Sequence, residues 1–110
     1  MTEQTFLILT ALAGESLHGY AVIEDVARQT AGRVKLRAGT LYAVLDRLRG
    51  AGLIEVDREE VVQSRLRRYY RLTAAGAESL TAEAARLRER ATLAEGRLRA
   101  RRADFGGATA

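Results

Sequence analysis

At Gly52 the chain changes its hydrophobic period, and at Thr73 it changes back. Before Gly52 apolar residues recur at intervals of three and four, the spacing of one helix face. Ile54 and Val56 then alternate with Glu55 and Asp57, and Leu66, Arg68, Tyr70 and Leu72 share one side of a segment whose other side carries Arg67, Tyr69 and Arg71. Period two is the signature of a strand. After Thr73 the helical spacing returns. The order is therefore three helices, a hairpin and one long helix.

The first helix spans about Thr2 to Ala13, with Phe6, Leu9 and Leu12 near one face, and Gly14 ends it. The second runs from about Gly19 to Thr30 and places Tyr20, Ile23, Val26 and Ala27 at helical spacing. The third runs from about Ala38 to Ala51. Its Leu41, Val44, Leu45 and Leu48 make one buried stripe. The opposite face carries Gly39, Ala43, Asp46 and Gly50, flanked by Thr40, Tyr42, Arg47 and Arg49. A face of such small residues suits a close approach to another surface. The two strands, Ile54–Asp57 and Leu66–Leu72, are joined by a charged connection from Arg58 to Arg65, with the turn expected at Gln63-Ser64.

Thr73 is placed to cap the last helix, where a hydroxyl accepts from an orphan amide. Ala77, Leu80, Ala84, Leu87, Ala91, Ala94 and Leu98 then repeat with alternating spacings of four and three, an a/d seam of about three heptads. A seam this narrow needs a mate, so these seven residues are the expected dimerisation surface. The fold class is mainly α with a small β-hairpin. Residues 1–73 form a winged helix-turn-helix, residues 74–104 a dimerisation helix, and residues 105–110 a flexible tail.

Composition removes several functions. With no cysteine, disulfides, zinc–thiolate centres and thiol catalysis are excluded. His18, the only histidine, has no carboxylate cluster around it, so no metal and no cofactor are expected. Its expected role is to cap the second helix and to pack. No nucleophile–base pair, glycine-rich phosphate loop or paired carboxylates stand out, which argues against an enzyme. No apolar run is long enough to span a membrane. Phe6–Leu9 follows Glu3 and lacks a basic leader, unlike a signal peptide. The cytoplasm is the expected compartment. The net charge is +4, and Lys35 is the only lysine among 18 basic residues. Arginine forks suit phosphate and guanine, which a lysine meets only as a point charge.

Three local matches, in order and spacing, make the chain resemble the PadR-type transcriptional regulators. They are His18-Gly19-Tyr20; Gly39-Thr40-Leu41-Tyr42 with Leu45, Arg47-Leu48 and Gly52-Leu53-Ile54; and Arg67-Arg68-Tyr69-Tyr70-Arg71-Leu72-Thr73 with Gly76. The resemblance is close over residues 4–80 and, with its single terminal helix, points to the smaller subgroup. It implies a bacterial repressor, dimeric through that helix, on a pseudo-palindromic double-stranded DNA operator. It also leaves room for a small-molecule effector of unidentified chemistry. The sequence departs from the family at Arg37-Ala38, where Ser or Thr and then Pro are usual, and in a wing without glycine. The last helix has no aromatic residue before Phe105, so an aromatic-ligand pocket of the subgroup's kind is not expected.

The third helix is the candidate for the major groove, because a helix fits there and its N-terminal residues meet base edges first. Thr40 and Tyr42 are candidates for base or sugar contact, with Gly39 and Ala43 permitting approach. Local capping by Thr40 and packing of Tyr42 on the second helix are the alternatives. Arg47 and Arg49 are placed to touch phosphate or to pair with Asp46. Lys35 and Arg37 form a candidate phosphate clamp at the helix start. Arg65 and Arg67 are the candidate wing contacts, whereas Glu59 and Glu60 would repel phosphate. A second reading of the whole chain is a winged-helix protein-interaction module without sequence-specific DNA binding.

Overall fold

In the computed structural model the backbone is described for residues 1–109 and side chains for residues 1–104. The elements are α1 (Glu3–Gly14), β1 (Leu17–His18), α2 (Gly19–Gln29), α3 (Ala38–Gly50), β2 (Ile54–Val62), β3 (Arg65–Leu72) and α4 (Ala74–Thr109). The chain divides into two units, Met1–Leu80 and Thr81–Ala110.

Each helix of the first unit starts and stops for a local chemical reason. Thr2 caps α1 by accepting from the Thr5 amide at 3.1 Å. The His18 Nδ1 caps α2, accepting from the Ala21 amide at 3.4 Å. At the far end of α2 the Thr30 hydroxyl donates back to the Val26 carbonyl and accepts from the Val34 amide, both at 3.0 Å. One side chain thus closes one helix and sets the path to the next. α3 begins at Arg37 without any side-chain cap, as the loss of the usual Ser or Thr implies. It ends at Gly52, whose φ of +76° lets the Leu53 amide donate to the Leu48 carbonyl at 3.0 Å. That is a helix stop which glycine makes without a Cβ penalty.

The core lies where α1, α2 and α3 meet the sheet. Ile8, Leu9, Val22, Val26, Leu41 and Leu45 are fully buried, and Ile54 and Tyr70 close the core from the strands. The expected stripe of α3 is the buried one. Gln29 ties α2 to α1 through a 3.0 Å bond to the Leu7 carbonyl.

The sheet is antiparallel in the order β1-β3-β2. Its short first strand was not expected; Leu17 pairs with Tyr70 and His18 with Tyr69. The expected connection Arg58–Arg65 is corrected as well: β2 runs on to Val62, β3 starts at Arg65, and only Gln63-Ser64 is left as the turn. The reason is pairing of charges across the strands, which needs no apolar alternation. The Arg68 Nε donates to Glu59 at 3.0 Å, and Arg71 binds Glu55 at 2.9 Å and Asp57 at 2.7 Å. A bulge at Asp57, between the pairs Val56↔Tyr70 and Arg58↔Tyr69, lets Arg71 hold both acids. Gln63 and Ser64 have φ of +51° and +65°. Positive φ at both central residues is the turn that matches hairpin twist, a conformation usually left to Asn-Gly.

The start of α4 is fixed by Thr73. Its hydroxyl accepts from the Gly76 amide at 3.0 Å and donates to the Gly52 carbonyl at 2.6 Å. Leu80 packs against the core, so the first turns of α4 belong to the first unit. The helix is continuous through residues 105–109, where a tail was expected; the side chains there, and Ala110, lie outside the described residues. In the second unit Ala91 and Ala94 are exposed, as are Leu87 at 41% and Leu98 at 54%, while Ala84 is half-buried. Ala77, in the first unit, is also exposed. Among the described residues no helix is long and apolar enough to cross a membrane.

Candidate nucleic-acid interface

The hairpin and α3 enclose a groove of about 960 Å³ between them. His18, Gly19 and Tyr20 of the β1–α2 corner, Tyr42 and Asp46 of α3, and Val62, Gln63 and Arg65 to Arg68 of the wing contribute to its wall.

Tyr42 stands at the centre of this arrangement. Its hydroxyl lies over Gly19, so that a Cβ there would be 2.5 Å from the phenolic oxygen. The ring therefore packs on α2 and yet remains 47% exposed. Both readings of this residue, packing and contact, are open to it at once. Tyr20 is exposed beside it.

The basic residues of the first unit sort into two classes. Arg28 pairs with Asp25, Arg33 with Glu3, Arg68 with Glu59, and Arg71 with Glu55 and Asp57. Arg58 lies 3.8 Å over the Tyr69 ring and 3.7 Å from Asp57. Among the described residues Lys35, Arg37, Arg49, Arg65 and Arg67 take part in no ion pair. Each is exposed except Arg67, which is half-buried. Unpaired guanidinium groups keep their donor forks for phosphate or guanine.

Of the predicted site residues, Gly39, Thr40 and Ala43 are exposed on α3 with Tyr42. Arg47 is corrected. Its Nη2 donates to the Thr5 hydroxyl at 3.0 Å, so it holds α3 to α1, and it does not pair with Asp46. This contact spans 42 residues of sequence, beyond the reach of helical spacing. Glu59 is ion-paired with Arg68, and Glu60 accepts a hydrogen bond from the Tyr69 hydroxyl. His18 meets Tyr69 edge-on with centroids 5.4 Å apart. Burial pushes its imidazole below the ordinary 6.5, and the nearby Arg67 charge acts in the same direction. Among the described residues no group of histidines and carboxylates is placed to hold a metal ion.

Three helices, a two-stranded wing and an open basic groove define a winged helix-turn-helix protein. The Transcriptional regulator PadR-like family matches over residues 8–82, and the chain belongs to that family. It is 37% identical over 82 residues to the transcriptional regulator Rv3488 of Mycobacterium tuberculosis, covering 74% of this chain and 73% of that one. An uncharacterized protein of Lysinibacillus sphaericus is 30% identical over 70 residues, and the chain spans 64% of its length. A PadR family transcription regulator from Clostridium difficile has the same fold, with a TM-score of 0.67 at 26% identity over 86% of this chain and 96% of that one. Bacillus subtilis PadR, solved in complex with operator DNA, superposes with a TM-score of 0.65 at 22% identity over 74% of this chain and 46% of that chain.

Proposed function

We propose that this PadR-like regulator is a repressor that binds a pseudo-palindromic operator as a homodimer. The observation that carries the reading is the sorting of the cations. Arg68 and Arg71 of the wing are spent on cross-strand acids, while Arg65 and Arg67, which line the groove with Tyr42, stay out of ion pairs, as do Lys35, Arg37 and Arg49. The operator complex of Bacillus subtilis PadR supports DNA as the partner. The exposed seam from Leu87 to Leu98 supports pairing of two copies. Two copies would offer their α3 helices to successive major grooves about 34–36 Å apart, and an occupied promoter excludes polymerase.

The test is titration of the chain's own promoter region in a gel-shift assay at several salt concentrations. Retention of the complex against excess nonspecific DNA is expected, with affinity falling as salt rises. Equal binding to any DNA would overturn the operator. For assembly, sedimentation at micromolar concentration should give a dimer, and Leu87→Asp should reduce both dimer and complex. A monomeric parent protein would refute that part.

A further inference from the structure

We propose that Asp46 reads a base, accepting a hydrogen bond from the exocyclic amino group of a cytosine in the major groove; this rests on the operator reading above. At 100° per residue the strip of α3 opposite the buried Leu41, Val44, Leu45 and Leu48 consists of Gly39, Ala43, Asp46 and Gly50, all exposed. Three of those four have no side-chain polar atom. Asp46 is therefore the one functional group that points straight away from the core along this helix. Thr40 and Arg47 lie on one flank and Tyr42 and Arg49 on the other.

The carboxylate is also uncommitted. Its neighbours Arg47 and Arg49 are within reach by sequence, but Arg47 is bound to Thr5 and Arg49 is in no ion pair. Among the described residues Asp46 makes no ion pair and no side-chain hydrogen bond, and it lines the groove with Tyr42, Arg65 and Arg67. An unpaired acid on a surface suited to phosphate is repelled by the DNA backbone. It is tolerated there only when a donor meets it.

The major groove contains two such donors. Cytosine offers its N4 amino group beside a C5–H, whereas the N6 amino group of adenine sits beside the N7 acceptor, which repels a carboxylate. Guanine presents the acceptors N7 and O6 at this edge, and thymine presents O4 and a methyl group. A carboxylate thus favours cytosine, and a carboxamide favours adenine, whose N6 and N7 it meets in a bidentate way.

The experiment is selection from a randomised duplex library by the wild-type protein, Asp46→Asn and Asp46→Ala, followed by affinity measurement on the selected sites. The wild type should select cytosine at one position in each half-site. Asp46→Asn should shift that position toward adenine and bind the cytosine site about tenfold more weakly. Asp46→Ala should lose the preference while nonspecific binding is retained. An unchanged base preference at every position in both variants would overturn the role of Asp46 and leave the operator reading standing. A wild-type protein that selects no sequence would overturn the operator reading and this inference with it. Matching circular dichroism melts of the three proteins establish that each is folded.

Discussion

Gly76 packs against the carbonyl of Leu53 so closely that a Cβ on it would lie 1.9 Å from that oxygen. The obstacle is backbone, between the exit of α3 and the first turn of α4, and neither side has a rotamer to yield. Thr73 holds the same junction from both directions, through the Gly52 carbonyl and the Gly76 amide.

Gly76→Ala should therefore lower stability by about 3 kcal/mol, the upper range for overpacking a site that cannot relax. Urea denaturation followed by circular dichroism measures it. A loss below about 0.5 kcal/mol would contradict the contact.

The wing arginines should separate by their partners. Arg65→Ala and Arg67→Ala are each expected to weaken DNA binding on all sequences and to reduce the slope of log affinity against log salt by about one phosphate contact. Arg71→Ala, which removes the partner of Glu55 and Asp57, should leave that slope unchanged and lower the melting temperature only slightly, as loss of exposed pairs does. Fluorescence anisotropy across a salt series, with a thermal melt of each variant, distinguishes the two classes.

The turn at the wing tip is a place where stability can be gained. Left-handed backbone at a residue other than glycine costs roughly 1 kcal/mol, and Gln63 and Ser64 both adopt it. Gln63→Asn combined with Ser64→Gly should raise stability by about 1 kcal/mol. The gain would appear as a higher midpoint in urea, with β2 and β3 in the same register.

His18 gives a pH dependence whose sign follows from its environment. Its folded-state value lies below the ordinary 6.5, with burial as the main cause, so the unfolded chain takes up the proton first. The contribution is fully present above about pH 6.5 and is lost as pH falls through the folded value. Protonation of Nδ1 also removes the acceptor that caps α2. Melting temperature should fall between pH 7 and pH 5 more in the parent protein than in His18→Asn, which retains a capping oxygen without the titration.

Much of this was legible in the sequence because it depends on short-range rules. The stripe Leu41, Val44, Leu45 and Leu48, the stop at Gly52, the caps at His18 and Thr73 and the turn at Gln63-Ser64 all follow from spacing or from one residue's chemistry. The outer half of the hairpin did not, since residues 58–65 have no apolar alternation and pair through Glu59, Arg68, Glu60 and Tyr69. The attachment of Arg47 to Thr5 is a tertiary contact that no local pattern announces, whereas packing of Tyr42 on the second helix was one of its two readings and only the seat at Gly19 is new. In the interface, the sequence already set Arg65 and Arg67 apart as the candidate wing contacts; what it could not supply was the acid partners that occupy Arg68 and Arg71.

The lacing of the wing by exposed ion pairs has a further consequence. Arg71 with Glu55 and Asp57, and Arg68 with Glu59, are held by the same kind of force that the proposed phosphate contacts of Arg65 and Arg67 would use, and all are screened by salt. Ionic strength thus acts on this molecule twice. It dilutes the attraction of the wing for its polyanionic partner, and it loosens the hairpin on which the attracting groups are mounted.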